Sequence, residues 1–219
     1  EKTNWLRETN MLARKIPDSR ISIFLYSSQW FGKDSVSQRL DNVAYKLLYG
    51  LDRIRRAVEF PFVYPWVAGS IFLGTPFHGL TEPRAQVLAE MAQGIGAGEA
   101  PDIVKFLDKD NEKLGKLLDD FGILARDIQM RLYCFFEQKE SDRVRVVVKG
   151  MPKVSFKRQE RIVDEVSASI TSADKLGLEV DHFRLNKYDG SKDPNFTIVS
   201  EEIRITAQKA DSILKSRQN

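Results

Sequence analysis

Two side chains, Glu137 and His182, have the types and positions that acid–base chemistry requires. Glu137 directly follows the apolar run 132–136, so it leaves the core at a strand end, where open α/β sheets place functional groups. His182 follows Asp181 in a late polar loop. A histidine oriented by a carboxylate is the base that activates a serine hydroxyl. The pair indicates nucleophilic hydrolysis if a nucleophile accompanies it, and otherwise two ordinary polar side chains in loops.

No serine of the chain has the surroundings of such a nucleophile. Hydrolases with an α/β sheet carry it on Gly-x-Ser-x-Gly, because the tight turn from strand to helix requires small residues on both sides of the exposed serine. That pattern does not occur in the sequence. Glycine-rich phosphate-binding motifs are absent as well, and the glycines at 94–98 follow a predicted helix, which is the wrong context for phosphate. We therefore expect no cofactor and no nucleotide.

The remaining candidates for chemistry are His78 and Cys134. His78 lies in a Gly/Pro turn at 74–79, where a histidine is more often solvated than catalytic. Cys134 is the only cysteine, which excludes an internal disulfide and a thiolate zinc cluster and is typical of a reducing compartment. With two histidines in all, the sequence predicts no metal site.

Composition predicts one globular domain over residues 1–219. A chain of 219 residues that is 42% hydrophobic can bury one core but not two ordinary ones. The net charge of +3 requires neither nucleic acid nor an anionic membrane as a partner. The longest apolar stretch, 60–74, contains two prolines and is shorter than the roughly 20 residues of a membrane span. We expect a cytoplasmic protein without a transmembrane segment.

Helices and strands are predicted to alternate, which is typical of an α/β fold with a mainly parallel sheet. Apolar periodicity predicts helices and apolar runs predict strands. The helices are expected at 4–15, 35–56, 82–92 and 200–214, with one or two more within 101–130, and the strands at 21–26, 69–76, 132–136 and 161–163. Residues 142–160 are strongly basic and are interpreted as an exposed hairpin or an insertion.

Several segments, in this order along the chain, resemble the α/β-hydrolase domain of a serine esterase/lipase family. The most similar branch comprises fungal proteins in which the domain precedes NACHT or NB-ARC ATPase modules and ankyrin or tetratricopeptide repeats. Serine active site containing proteins are also similar. The resemblance implies a three-layer fold with Glu137 as the acid and His182 as the base, and Asp164 is the alternative acid. The segments that carry it are 5–7, 19–26, 72–79, 135–137, 162–168, 181–182, 186–188 and 193–196.

The chain departs from this family where the nucleophile should be. Between Arg56 and Gly69 the family has a strand, a Gly-His-Ser-x-Gly-Gly elbow and a helix, a unit of roughly 30 residues or more. Only the twelve residues 57–68 occupy this position here. The family's first oxyanion strand would precede Trp5. We therefore expect an incomplete hydrolase-like sheet without a nucleophile or either oxyanion donor, and no esterase activity.

Three interpretations follow from the resemblance. In the first, the complete form hydrolyses a carboxylic ester or lipid whose identity the lid region 83–130 does not reveal. In the second, the domain is a pseudoenzyme, a non-catalytic signalling or interaction module of an NLR-like protein beside NACHT, NB-ARC or repeat domains. In the third, an exon is skipped or misassigned and the product has no function of its own. The resemblance also implies association with mitochondrial or endoplasmic-reticulum membranes.

Overall fold

Three parallel strands form the centre of the part of the chain that the computed structural model describes, residues 4–19, 67–79, 112–142, 159–161 and 163–217. Strand β1 (Gly69–Leu73) pairs with β2 (Arg131–Glu137), and β2 pairs with β5 (Asp174–Leu178), all in parallel. The helices and short strands, in chain order, are α1 (Leu12–Lys15), α2 (Glu112–Asp127), β3 (Ser141–Asp142), β4 (Gln159–Glu160), a 3-10 helix (His182–Arg184) and α3 (Pro194–Ser216). A parallel sheet with helices places the described residues in the α/β class.

Helices cover both faces of this sheet. Successive side chains of a strand point to opposite faces, so Phe135 and Cys134 of β2 belong to different hydrophobic clusters. Phe135 packs with residues of α3 and of the segment 4–16, whereas Cys134 packs with residues of α2. The buried members of the first cluster are Met11, Phe135, Leu178, Leu185, Tyr188, Phe196 and Val199. Those of the second are Ala125, Leu132, Cys134 and Ile170.

Polar contacts fix α3 against the amino end of the sheet. The Arg131 guanidinium at the start of β2 donates to the Glu202 carboxylate of α3 over 2.7 Å. Arg217, just after α3, donates to the carbonyl oxygen of Val67 over 3.1 Å. These contacts leave the carboxyl ends of the strands, at the opposite side of the sheet, for the candidate site.

The strands predicted at 69–76 and 132–136 are confirmed, and several other predicted elements lie outside the described residues. Strands are found at 69–73 and 131–137, where apolar runs were predicted to form them. Of the one or two helices predicted within 101–130, one is present at 112–127 in the described part. The predictions at 21–26, 35–56 and 82–92 fall on residues that are not described. Antiparallel pairing of β3 with β4 brings together the two ends of the basic segment 142–160, as a hairpin requires.

The strand predicted at 161–163 is wrong, and the third strand of the sheet lies further along the chain. A strand was predicted at 161–163, but the described residues Arg161 and Val163 lie in no strand. The Val163 N–H instead donates to the Glu137 carboxylate over 2.8 Å. The third strand is instead β5, which pairs with β2 on the side opposite β1. The first three residues of β5 are exposed, and its sequence contains no apolar run.

The helix boundaries at the two ends of the described chain also differ from the predictions. Residues 5–11 form turns, because the Asn4 carbonyl accepts from the N–H groups of Arg7 and Glu8 and the Trp5 carbonyl accepts from Leu12. Only α1 is helical in the predicted range 4–15. α3 begins at Pro194 rather than at 200, because the Asp193 carboxylate accepts from the N–H groups of Asn195 and Phe196 and caps it.

Two glycines inside α2 offer a stabilising substitution. A Cβ atom at Gly115 or Gly122 would meet nothing within 4 Å. Because alanine has the higher helix propensity, we expect Gly115→Ala and Gly122→Ala each to raise the free energy of unfolding by about 0.5–1 kcal/mol. Urea denaturation measures this, with Gly190→Ala as the control, since Gly190 also has open space but a φ of 151°. Equal effects at all three positions would contradict the helical placement of the first two.

Candidate functional site

Glu137 lies at the carboxyl end of β2 and is completely buried. Its two carboxylate oxygens have different partners. Oε1 accepts from the backbone N–H of Val163 over 2.8 Å, and Oε2 lies 2.9 Å from Nδ1 of His182. A buried carboxylate is stable only when hydrogen bonds replace its hydration, and these two contacts do so. They also fix the direction in which the carboxylate faces the histidine.

His182 is the first residue of the short 3-10 helix that follows β5. Hydrogen bonds stabilise the loop before and after it. The Asp181 carboxylate accepts from the N–H of Arg184 over 3.2 Å, which stabilises the turn. Further along, the Tyr188 hydroxyl donates to the Leu185 carbonyl over 3.0 Å, and the Trp5 indole donates to the Asn186 carbonyl over 3.1 Å. The side chain of His182 is 28% exposed, so solvent reaches the imidazole.

The contact with Glu137 determines how the imidazole can act. A carboxylate only accepts hydrogen bonds, so Nδ1 of His182 is the donor and the neutral ring carries its lone pair on Nε2. In this tautomer Nε2 can take up a proton, and the imidazolium that results is stabilised by the Glu137 charge 2.9 Å from Nδ1. The arrangement is that of a general base with an orienting acid.

Gly74, directly after β1, forms the wall of the site beside the imidazole. Its φ is 63°, in the left-handed region that favours glycine, and its N–H donates to the Phe135 carbonyl over 2.8 Å. A Cβ atom here would lie 2.5 Å from Cδ1 of Leu185 and 3.0 Å from Cε1 of His182. The ends of three neighbouring strands therefore place Gly74, Glu137 and His182 at one edge of the sheet, where open α/β sheets bind ligands.

The other sequence candidates lie in adjacent loops. Asp164, the alternative acid, accepts from the backbone N–H of Ser167 over 2.9 Å, whereas Glu137 contacts the imidazole. His78 is exposed, and its backbone N–H donates to the Ser167 carbonyl over 3.3 Å. The structure thus brings Glu137 and His182 together and places Asp164 in the turn that supports them.

No protein-family model, curated protein or solved structure matches this chain. The acid–base pair therefore rests on the geometry of its own residues. No helix within the described ranges combines the length and the apolar character that crossing a bilayer requires. Within those ranges, no group of three or more His, Cys, Asp or Glu side chains could hold a metal ion.

The thiol of Cys134 is unsuited to serve as a replacement nucleophile. It is fully buried at the centre of the sheet, and burial raises the pKa of the thiol. Because the thiolate is the reactive form, a thiol in this environment is inert. The pKa of Tyr188 is likewise raised by burial, so its hydroxyl stays protonated and keeps donating to the Leu185 carbonyl. Both side chains support the site without entering its chemistry.

The sequence did not predict the roles of two groups of the site, the backbone N–H of Val163 and the side chain of Ser167. Val163 was assigned to a strand, in which its N–H would have paired with another strand. Ser167 lies outside any Gly-x-Ser-x-Gly motif, and the sequence predicted no other role for it. Its hydroxyl donates to the Gly79 carbonyl over 2.5 Å, and the side chain is buried.

Proposed function

We propose that this chain is an α/β-hydrolase-like domain of the serine esterase/lipase type, which carries the acid and the base of a catalytic triad without the serine. The observation that supports the proposal is the 2.9 Å contact between Glu137 Oε2 and His182 Nδ1. The two residues follow neighbouring parallel strands, β2 and β5. Their order along the chain, acid before histidine, is the order of α/β hydrolases.

In the complete form of such a domain, the pair would drive ester hydrolysis by two proton transfers in each half-reaction. Nε2 of the histidine takes the serine proton as the serine oxygen forms a bond to the ester carbonyl carbon. The imidazolium then gives that proton to the departing alcohol as the ester C–O bond breaks. Water then attacks the acyl-serine by the same two proton transfers, and the carboxylic acid product leaves. Glu137 would hold the Nδ1–H tautomer throughout.

The sequence has no serine in a Gly-x-Ser-x-Gly motif for this base to activate. Residues 57–68 are too few for a strand, an elbow and a helix, and residues 57–66 are not among those described. An enzyme of this type that loses its serine keeps only the rate that binding and the oxyanion hole provide. We therefore expect the chain to hydrolyse no ester through a covalent intermediate.

The short segment 57–68 also favours a second candidate function. A domain that keeps a hydrolase-like site but lacks the nucleophile can serve as a non-catalytic interaction module in a signalling protein. We propose this role as the alternative, with a protein partner in place of the ester. The two candidates differ in whether the site becomes reactive when a nucleophile is supplied.

Restoring the elbow tests the first candidate against the second. Residues 57–68 are replaced by a strand, a Gly-His-Ser-x-Gly-Gly turn and a helix, and the chain is treated with a fluorophosphonate probe, which labels only an activated serine. We expect no labelling of the natural chain and clear labelling of the restored one. The matched controls are the same insertion with alanine for its serine and the same insertion with His182→Gln. A restored chain that folds but is not labelled would reject the esterase proposal.

A further inference from the structure

We propose that Ser167 is a positioning residue, which clamps the loop 74–79 against the Glu137–His182 pair and so holds the imidazole in place. The proposal rests on the same acid–base pair as the proposed function. It adds a residue that neither reacts nor contacts the imidazole directly. Ser167 acts through two segments, the turn 163–168 and the loop 74–79, which together form one side of the site.

Ser167 makes three hydrogen bonds, and two of them connect these two segments. Its hydroxyl donates to the Gly79 carbonyl over 2.5 Å, and its carbonyl accepts from the His78 N–H over 3.3 Å. Both bonds join the turn to the far end of the loop. Its own N–H donates to the Asp164 carboxylate over 2.9 Å, which holds Ser167 within the turn. A serine that uses its N–H, carbonyl and hydroxyl in this way, while buried, fixes the backbone on both sides.

The loop transmits this constraint to the imidazole. Its near end is Gly74, whose Cα lies so close to the ring that a Cβ atom there would be 3.0 Å from Cε1 of His182. Within the loop, the Phe77 N–H donates to Thr75 and the Gly79 N–H donates to Pro76. The ring of Phe77 packs edge-on against Phe72 of β1 at a centroid distance of 4.8 Å. The loop is therefore a folded unit that is attached to β1 at one end and to Ser167 at the other.

The turn 163–168 is attached to the acid at its own beginning. The Val163 N–H donates to Oε1 of Glu137, and the Ala168 N–H donates to the Asp164 carbonyl over 2.9 Å and closes the turn. One short turn thus contacts the acid through its first residue and the loop beside the base through Ser167. This assigns Asp164 a role in supporting Ser167 rather than as the acid.

Nuclear magnetic resonance of the histidine ring tests the proposal directly. The chain contains only two histidines, so the exposed His78 is replaced by glutamine and His182 gives the single imidazole signal. The parent variant should show an Nδ1–H proton that is protected from exchange with water. In Ser167→Ala we expect that proton to exchange at least about tenfold faster or to disappear, since local opening exposes it. The matched control is Ser169→Ala, because the Ser169 hydroxyl donates within the same turn, to the Glu165 carbonyl over 2.7 Å.

Amide exchange in α3 separates a positioning role from a general loss of stability. The amides of Phe196 and Val199 report on the core, because both side chains are fully buried. Faster imidazole exchange in Ser167→Ala with unchanged α3 protection supports the proposal. Equal acceleration of both, or an unchanged imidazole proton, overturns it, as does the same effect in Ser169→Ala. A parent chain without a protected Nδ1–H overturns this proposal together with the acid–base pair, whereas an elbow-restored chain that resists the probe overturns only the esterase proposal.

Discussion

Glu137→Ala is expected to lower the free energy of unfolding by about 2–4 kcal/mol. The substitution removes a completely buried carboxylate and leaves the Val163 N–H and the His182 Nδ1–H without their acceptor. An unsatisfied buried donor and a broken buried ionisable pair each lower the free energy of unfolding by up to several kcal/mol. The partial exposure of His182 reduces the combined loss. Urea denaturation followed by circular dichroism measures the change. The protected imidazole proton should disappear in the same variant.

Two further variants distinguish the acid from its neighbour. Glu137→Gln keeps the volume and an oxygen that can accept from Val163, so we expect a loss of only about 1–2 kcal/mol. Asp164→Asn keeps an oxygen for the Ser167 N–H, and we expect a loss below about 1 kcal/mol with the imidazole proton intact. If Asp164→Asn removed that proton and Glu137→Gln did not, Asp164 would be the acid and the assignment of Glu137 would be wrong.

Gly74→Ala is the second substitution for which we expect a large effect, a loss of about 2–4 kcal/mol. An L-residue at φ 63° costs on the order of 1 kcal/mol. The new methyl group would also lie 2.5 Å from Leu185 Cδ1 and 3.0 Å from His182 Cε1, and such overpacking costs about 1–3 kcal/mol. Denaturation measures the loss, and the nuclear magnetic resonance signals of the His182 ring should move because the ring must be displaced.

The steric part of this prediction can be isolated with a second substitution. Leu185→Ala removes the side chain that the new methyl group would meet first, at the cost of a cavity. We expect the double variant to be less destabilised than the sum of the two single variants, since neighbouring residues in contact do not act additively. Gly115→Ala is the matched control, because its methyl group meets nothing. Strict additivity of Gly74→Ala with Leu185→Ala would contradict the close approach at this wall.

The parts of the fold that the sequence predicted correctly are those whose signals are local. The apolar runs of β1 and β2 end at a Gly/Pro turn and at Glu137, and these polar or turn residues mark the strand ends in the sequence. β5 was missed because three of its five residues are exposed, so burial did not select an apolar pattern. Periodicity detects an element only through the side chains that it buries.

In the candidate site, too, some residues could be predicted from the sequence and others could not. Glu137 and His182 could be predicted because polar residues at strand ends meet at one edge of a parallel sheet. Their 2.9 Å contact agrees with that reasoning, while their role in catalysis stays a prediction. Ser167 and the Val163 N–H could not be found by motif or period, because their partners, Gly79 and Glu137, are distant in the sequence. Such bonds become visible only when the backbone path is known.

The indole of Trp5 and the carbonyl of Asn186 are 181 residues apart in sequence, yet their hydrogen bond stabilises the loop that carries His182. Contacts of such high contact order form slowly, because a long stretch of chain must be ordered before they contribute. The Glu137–His182 contact therefore cannot form before β5 and the loop that carries His182 have left the ribosome. Until α3 has also formed, Phe135 lacks the side chains of Phe196 and Val199 that bury it, and exposed apolar surface of this kind promotes aggregation.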